Sequence, residues 1–185
     1  MIRTIGIAFL ALILQAQVSN AQYKQTVENK TRLESNINHV IPLKSLDQYK
    51  IAVVTPNNNK YQPFIDQLER YADVQVFDFQ QYDEKTKYYN TIIVAGTASE
   101  LHPGQLAMLI QSAVNNKNVI LCQFGTDYDF TNLSVTPQQI RKFTSLVRTA
   151  ETGNQAQEYA AMSIFGGLGI TQGTIKTEQT RLNYD

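Results

Sequence analysis

The sequence predicts an α/β fold, a three-layer sandwich in which a mainly parallel sheet of five or six strands is flanked by helices on both faces. Three observations carry this expectation. Short apolar runs without clean alternation, such as Val119-Ile120-Leu121-Cys122, read as strands buried on both sides. Between such runs lie stretches with apolar residues at helical spacing, for example Leu106, Leu109, Ile110, Ala113 and Val114. Strand and helix then alternate along the chain, which is how parallel strands joined by crossover helices appear in sequence.

The elements follow in order. Residues 1–21 read as a secretory signal: Arg3 gives the positive start, Ile5 to Leu14 the apolar segment, and Ser19-Asn20-Ala21 a small-x-small cleavage site before Gln22. The apolar run is shorter than a membrane span requires, and no Cys follows it. The expected mature chain is therefore exported, periplasmic or extracellular, and has no membrane span. Residues 22–40 are a polar leader, expected to hold one helical turn near Arg32 to Asn36. Residues 41–178 form the domain and 179–185 a tail.

Ile41-Pro42-Leu43 starts extended, because the residue before a proline is pushed out of the helical region. Lys50 to Thr55 is the first strand, ended by the turn residues Pro56-Asn57-Asn58-Asn59. A helix follows with Tyr61, Phe64, Ile65, Leu68 and Tyr71 on one face and Pro63 in its first turn. Asp73 to Phe79 is the second strand, and Gln80 to Tyr89 a loop or irregular helix. Asn90 to Gly96 is the third strand, β-branched and apolar. His102-Pro103 opens the second helix, and the fourth strand begins at Asn118. Pro137 to Arg141 is expected as a short helix, and Phe143 to Thr149 as the fifth strand. Asn154 to Phe165 is the third helix, with Ala156, Tyr159, Ala160 and Ile164 inward and Gly166-Gly167 as its cap. The stretch from Ile170 onward is expected to lie along the surface.

Charge excludes one class of partner. Sixteen basic residues balance sixteen acidic ones, so no bulk field draws nucleic acid. Cys122 is the single cysteine, so the fold must hold by its core and not by disulfides.

Several constellations could carry chemistry. Cys122 ends a strand, as the nucleophile does in some amidotransferase-like folds. Those need an exposed elbow and a histidine base, whereas Gln123-Phe124-Gly125 runs on into a loop and no histidine follows His102. Cys122 is therefore read as a core residue. His39 and His102 are the only histidines and stand far apart, so no metal site and no cofactor are expected. Gly166-Gly167-Leu168-Gly169 follows a helix and does not lead into one, so it is not a phosphate loop.

Asp127 and Asp129 flank Tyr128 in the loop leaving the fourth strand, where ligands sit in open α/β folds. Two acids in one turn commonly bond their own backbone. An aromatic face beside polar groups also suits sugar stacking, which makes Asp127, Tyr128 and Asp129 the candidate ligand-binding residues. Asp83-Glu84 form a second acidic pair. Carboxylate pairs hydrolyse glycosides only across a cleft that holds the sugar ring.

Several of these pieces also fall in a recognisable order. Ile41-Pro42-Leu43 stands before Leu46-Asp47 and the first strand. Gly125, Asp127 and Tyr128 follow the fourth, and Phe143 to Glu151 supplies the next. The helix from Gln155 ends Ser163-Ile164-Phe165-Gly166, and Gly173-Thr-Ile-Lys-Thr comes last. This resembles the C-terminal α/β-sandwich domain of family 3 glycoside hydrolases, of the β-glucosidase and β-N-acetylglucosaminidase type. That domain has a Leu-Pro-Leu entry, a Gly-x-Pro-Tyr loop, an Ala-x-x-x-Leu-Phe-Gly helix and a closing Gly-Lys-Leu-Pro-Val-Thr. The likeness covers about residues 40–178. Asp127 stands in place of the loop proline, and Ile175-Lys176 in place of the Leu-Pro pair.

In that family the nucleophile lies in a preceding (β/α)₈ barrel of about 200 residues or more. Residues 22–40 cannot hold one, so no catalytic residue carries over. The resemblance implies an exported, non-catalytic relative: a carbohydrate-binding module, or an accessory to a barrel-type glycosidase partner. Two alternatives stand beside it. One is a truncated or split glycosidase; the other is a stand-alone hydrolase using Asp127, Asp129 or Asp83 with Tyr128.

Overall fold

The structure, a computed structural model, describes residues 30–82, 86–115, 117–126, 143–167 and 171–172. Its centre is a seven-stranded sheet in the order β3-β2-β4-β5-β6-β1-β7. The strands are β1 (Thr31–Asn36), β2 (Ile51–Thr55), β3 (Val74–Asp78), β4 (Thr91–Thr97), β5 (Asn118–Phe124), β6 (Ser145–Thr149) and the two-residue β7 (Thr171–Gln172). The run from β3 to β6 is parallel throughout, with Ile51 opposite Thr91, Thr91 opposite Asn118 and Ile120 opposite Ser145. The helices are α1 (Gln62–Glu69), α2 (Pro103–Val114) and α3 (Asn154–Ile164).

The strand period of two sorts the apolar side chains onto two faces. Val53, Ile93, Ile120, Cys122, Phe124 and Val147 meet α1 and α3 through Phe64, Leu68, Ala160 and Ile164. Val54, Ile92, Val94, Val119, Leu121 and Leu146 meet α2 through Leu106, Leu109 and Ile110. The three-layer sandwich is thus as the sequence predicts, and the unalternating runs are apolar because each strand serves two cores. Cys122 is buried and unpaired in the first of these cores. Val114, which the helical spacing groups with Leu106, Leu109 and Ile110, is 52% exposed at the last position of α2.

The first correction is at β1. Residues 31–36 are not a helical turn but a strand, antiparallel to β6, with Thr31 opposite Thr149 and Leu33 opposite Val147. Tertiary pairing overrides the local signal. Arg148 of β6 donates to Glu34 at 2.6 Å and to the Gln123 side chain at 2.8 Å. Asn36 accepts from Ser145 Oγ and the Ile41 amide, and its own amide donates to Ile41 O at 2.7 Å. The second correction is at 171–172, which add a short strand parallel to β1 on the edge that β6 leaves open. Within 80–89, two 3₁₀ turns flank the undescribed residues. The expected helix at 137–141, the signal and the tail at 179–185 lie outside the described residues.

The Ile41–Pro42 peptide is cis. This entry segment docks on the carboxyl end of α3, where the Leu43 amide donates to Ile164 O at 2.8 Å. Gly166 and Gly167 close α3 as expected, their amides returning to Ser163 O and Met162 O.

Candidate functional site

The sheet turns its connections in opposite directions at one place. β2 leads through α1 to β3 on one side and one face, while β4 leads through α2 to β5 on the other. The loops leaving β2 and β4 therefore part, and the crevice between them is where open α/β sheets bind ligands.

Side chains from both loops meet there. After β2, Thr55 Oγ1 donates to Asn58 Oδ1 at 2.7 Å, and the Lys60 amide donates to Asn57 Oδ1. These bonds curl the chain so that Lys60 and Tyr61 face the neighbouring loop. After β4, the turn carries Glu100, whose carboxylate receives four donors. Lys60 Nζ lies 2.6 Å from Oε1. Tyr61 OH at 2.5 Å, the Thr97 amide at 3.0 Å and Thr97 Oγ1 at 2.9 Å all bond Oε2. The Tyr61 ring is buried against Phe124, with centroids 5.6 Å apart.

The electrostatics follow from this arrangement. Burial alone would raise the Glu100 carboxyl, but the hydrogen bonds from Lys60, Tyr61 and Thr97 outweigh it and hold the group down at about 2. The Tyr61 hydroxyl is pushed up, first by burial and then by its bond to, and the charge of, Glu100. Glu100 at neutral pH has no proton to give, and its acceptor sites are occupied. It is an anchor joining two loops and not a general acid or base.

A third strand end joins the same edge. Gln157, in the second turn of α3, donates through Nε2 to Lys60 O and Thr152 O, both at 3.1 Å. The Gly125 amide donates to Thr149 O at 2.9 Å. With φ of +91° Gly125 leaves β5 in a conformation that other residues rarely adopt. Asp127, Tyr128 and Asp129 lie outside the described residues, as do Asp83 and Glu84. Gly125, which leads towards the first three of these, lies against Thr152 at this edge.

Sequence reasoning read Tyr61 as one face of a helix and did not single out Lys60, Glu100 or Gln157. A strand-end position was the one signal available for Glu100. His102 behaves as expected at the head of α2, where its amide donates to Gln105 Oε1 at 3.0 Å. Burial raises the Cys122 thiol, so it stays protonated. Among the described residues there is no group of three or more metal-ligating side chains, and no helix is long and apolar enough to cross a membrane.

The fold and its edge define an α/β/α sandwich with a polar carboxyl rim. No family model and no curated protein matches the sequence. Solved structures do match. The chain is similar to a fungal multi-domain family 3 β-N-acetylglucosaminidase, with a TM-score of 0.65, 16% identity and coverage of 85% of this chain but 20% of that one. For the family 3 β-N-acetylglucosaminidase of Paenibacillus sp. str. FPU-7 the values are 0.60, 11%, 81% and 31%. For the β-glucosidase of Listeria innocua in complex with isofagomine they are 0.62, 12%, 82% and 26%. The chain thus spans between a fifth and a third of these proteins. Its fold is that of the C-terminal regions of family 3 glycoside hydrolases.

Proposed function

We propose that this chain is an exported, non-catalytic accessory module for a glycosidase, binding carbohydrate at the carboxyl rim of its sheet. The observation that carries the reading is the likeness over four-fifths of this chain to the C-terminal regions of family 3 glycoside hydrolases. Two others support it. Glu100, the best-placed carboxylate among the described residues, is committed to holding two loops together. The loop bearing Asp127, Tyr128 and Asp129 leaves from the same rim. Arg3, the apolar segment to Leu14 and the Ser19-Asn20-Ala21 site support export.

The test is a pull-down of the tagged mature chain from the exported fraction of its own cells, read by mass spectrometry. A barrel-bearing glycosidase among the captured proteins is the expected result. Calorimetry with short β-linked saccharides then separates docking from direct sugar binding. The reading fails if no glycosidase is captured and no saccharide binds at millimolar concentration. Export is checked by the mass of the secreted form, which should begin at Gln22.

A further inference from the structure

The sheet has two outer edges, and they are not alike. On one side it ends in β7, two polar residues long. On the other it ends in β3, five residues that pair only with β2 among the described residues. A strand at an edge presents a row of backbone N–H and C=O groups that no neighbouring strand meets. Natural edges are guarded by lysine, proline, a bulge or very short length. β3 reads Val74-Gln75-Val76-Phe77-Asp78 and has none of these, and its register against β2 runs unbroken from Ile51 opposite Val74 to Thr55 opposite Asp78. Its one charge, Asp78, stands at the last position and accepts from the Gln81 amide at 3.0 Å.

The side chains of this edge point the same way. Val76 stands opposite Val53 and packs on the core shared with α1 and α3, yet it is only half-buried. Phe77 stands opposite Val54, which lies in the α2 core, and it too is half-buried. Tyr89 meets Phe77 edge-on with centroids 5.6 Å apart, and the adjacent Tyr88 is 72% exposed. Both apolar layers therefore reach the edge still partly open to solvent.

Backbone groups in a row, with apolar side chains on both faces, suit an added strand and not a small ligand. A second copy of this chain fits by symmetry and by charge. Sixteen basic and sixteen acidic residues leave no net charge to hold copies apart. Antiparallel pairing about a two-fold axis at Val76 sets Val76 against its own copy, Gln75 against the copy's Phe77 and Val74 against the copy's Asp78. The whole strand is then used. An axis between Gln75 and Val76 would instead put Asp73 opposite the copy's Asp78, two like charges.

We infer that the outer edge of β3 is a self-association surface, where two copies of this chain pair antiparallel about Val76 and join their seven-stranded sheets into one.

The experiment is sedimentation equilibrium of the mature chain from micromolar to millimolar concentration, where a dimer that dissociates on dilution is expected. Gln75→Lys guards the edge at an exposed position without touching the core, and it acts twice in a symmetric pair. It should raise the dissociation constant about tenfold. Val76→Cys tests the register. Residues directly opposed across an antiparallel pair have Cα atoms about 4.5–5.5 Å apart, within disulfide reach. Mild oxidation should therefore cross-link the Val76→Cys dimer. Gln75→Cys, offset from its own copy by about two residues in this register, should cross-link far less. The native chain is the silent control, because Cys122 is buried. A monomer at every concentration would overturn the self-pairing. So would a dimer that Gln75→Lys leaves intact and Val76→Cys does not cross-link, since another surface would then hold it. A monomer that captures another exported protein, and loses it in Gln75→Lys, would give the edge to a strand of that protein and would equally overturn the self-pairing.

Discussion

The two ends of the sheet are built on different principles. At the amino end, Ile41-Pro42-Leu43 lies on the carboxyl end of α3 in close contact. A side chain at Gly166 would come within 3.0 Å of Pro42, and Tyr71 stacks on Phe165 with centroids 5.0 Å apart. Asn90 closes the same end by accepting from the Lys50 amide and donating to Gln48 O. At the carboxyl end the loops are held by polar side chains converging on Glu100 and Gln157, and the buried side-chain oxygens without a hydrogen-bond partner among the described residues, Thr149 Oγ1, Gln155 Oε1 and Gln157 Oε1, are there. A scaffold end can satisfy every group internally. An end that retains unmet hydrogen-bonding capacity carries a cost that only a ligand or solvent offsets.

The largest break in this comparison comes from the residue that supports the rim from below. Phe124 touches Tyr61 and makes an edge contact with Phe64, with centroids 5.9 Å apart. Phe124→Ala should cost about 3–5 kcal/mol in a denaturant titration and loosen the rim with the core. At the other end, Gly166→Ala should cost about 1–3 kcal/mol, because φ is +78° and the added carbon meets the Pro42 ring. It should leave ligand binding at the rim unchanged. A Gly166→Ala protein that loses saccharide binding while folded would show that the two ends are not independent.

What could be read from the chain divides along the same line. β2, β4 and β5 were legible because strands buried on both faces leave unbroken apolar runs, and the Ile41-Pro42-Leu43 and Ser163-Ile164-Phe165-Gly166 landmarks come together at the amino end. β1 was not. Thr31-Arg32-Leu33-Glu34-Ser35-Asn36 carries a weak alternation, and what makes it a strand is β6, more than a hundred residues away. The rim was legible as a place but not as a set of residues. Glu100 and Gln157 are single polar residues with no spacing motif, and only their partners across the fold give them meaning.

Glu100 provides the pH test of the rim. Its folded value of about 2 lies below the ordinary 4.5, so its contribution is fully present above about pH 5 and is lost as pH falls through about 2. Stability of the native chain should therefore decline across that window. Glu100→Gln should cost about 1–3 kcal/mol at neutral pH, since Tyr61 OH and Lys60 lose a charged acceptor. It should also flatten the acid decline. A decline equally steep in both proteins would assign it to other carboxylates.

The smallest effects separate the two partners of that carboxylate. Tyr61→Phe keeps the ring against Phe124 and removes only the hydroxyl, so it should cost about 1 kcal/mol and raise the Glu100 value. Lys60→Met removes an ion pair whose lysine is 42% exposed, and exposed pairs contribute about 0–1 kcal/mol. The Lys60 carbonyl that receives Gln157 is backbone and survives the change. Urea titrations of the two variants at neutral pH should therefore rank Tyr61 above Lys60. The reverse order would mean that the rim is held by surface charge and not by the buried hydroxyl, and raised salt would then weaken the native chain as much as Lys60→Met does.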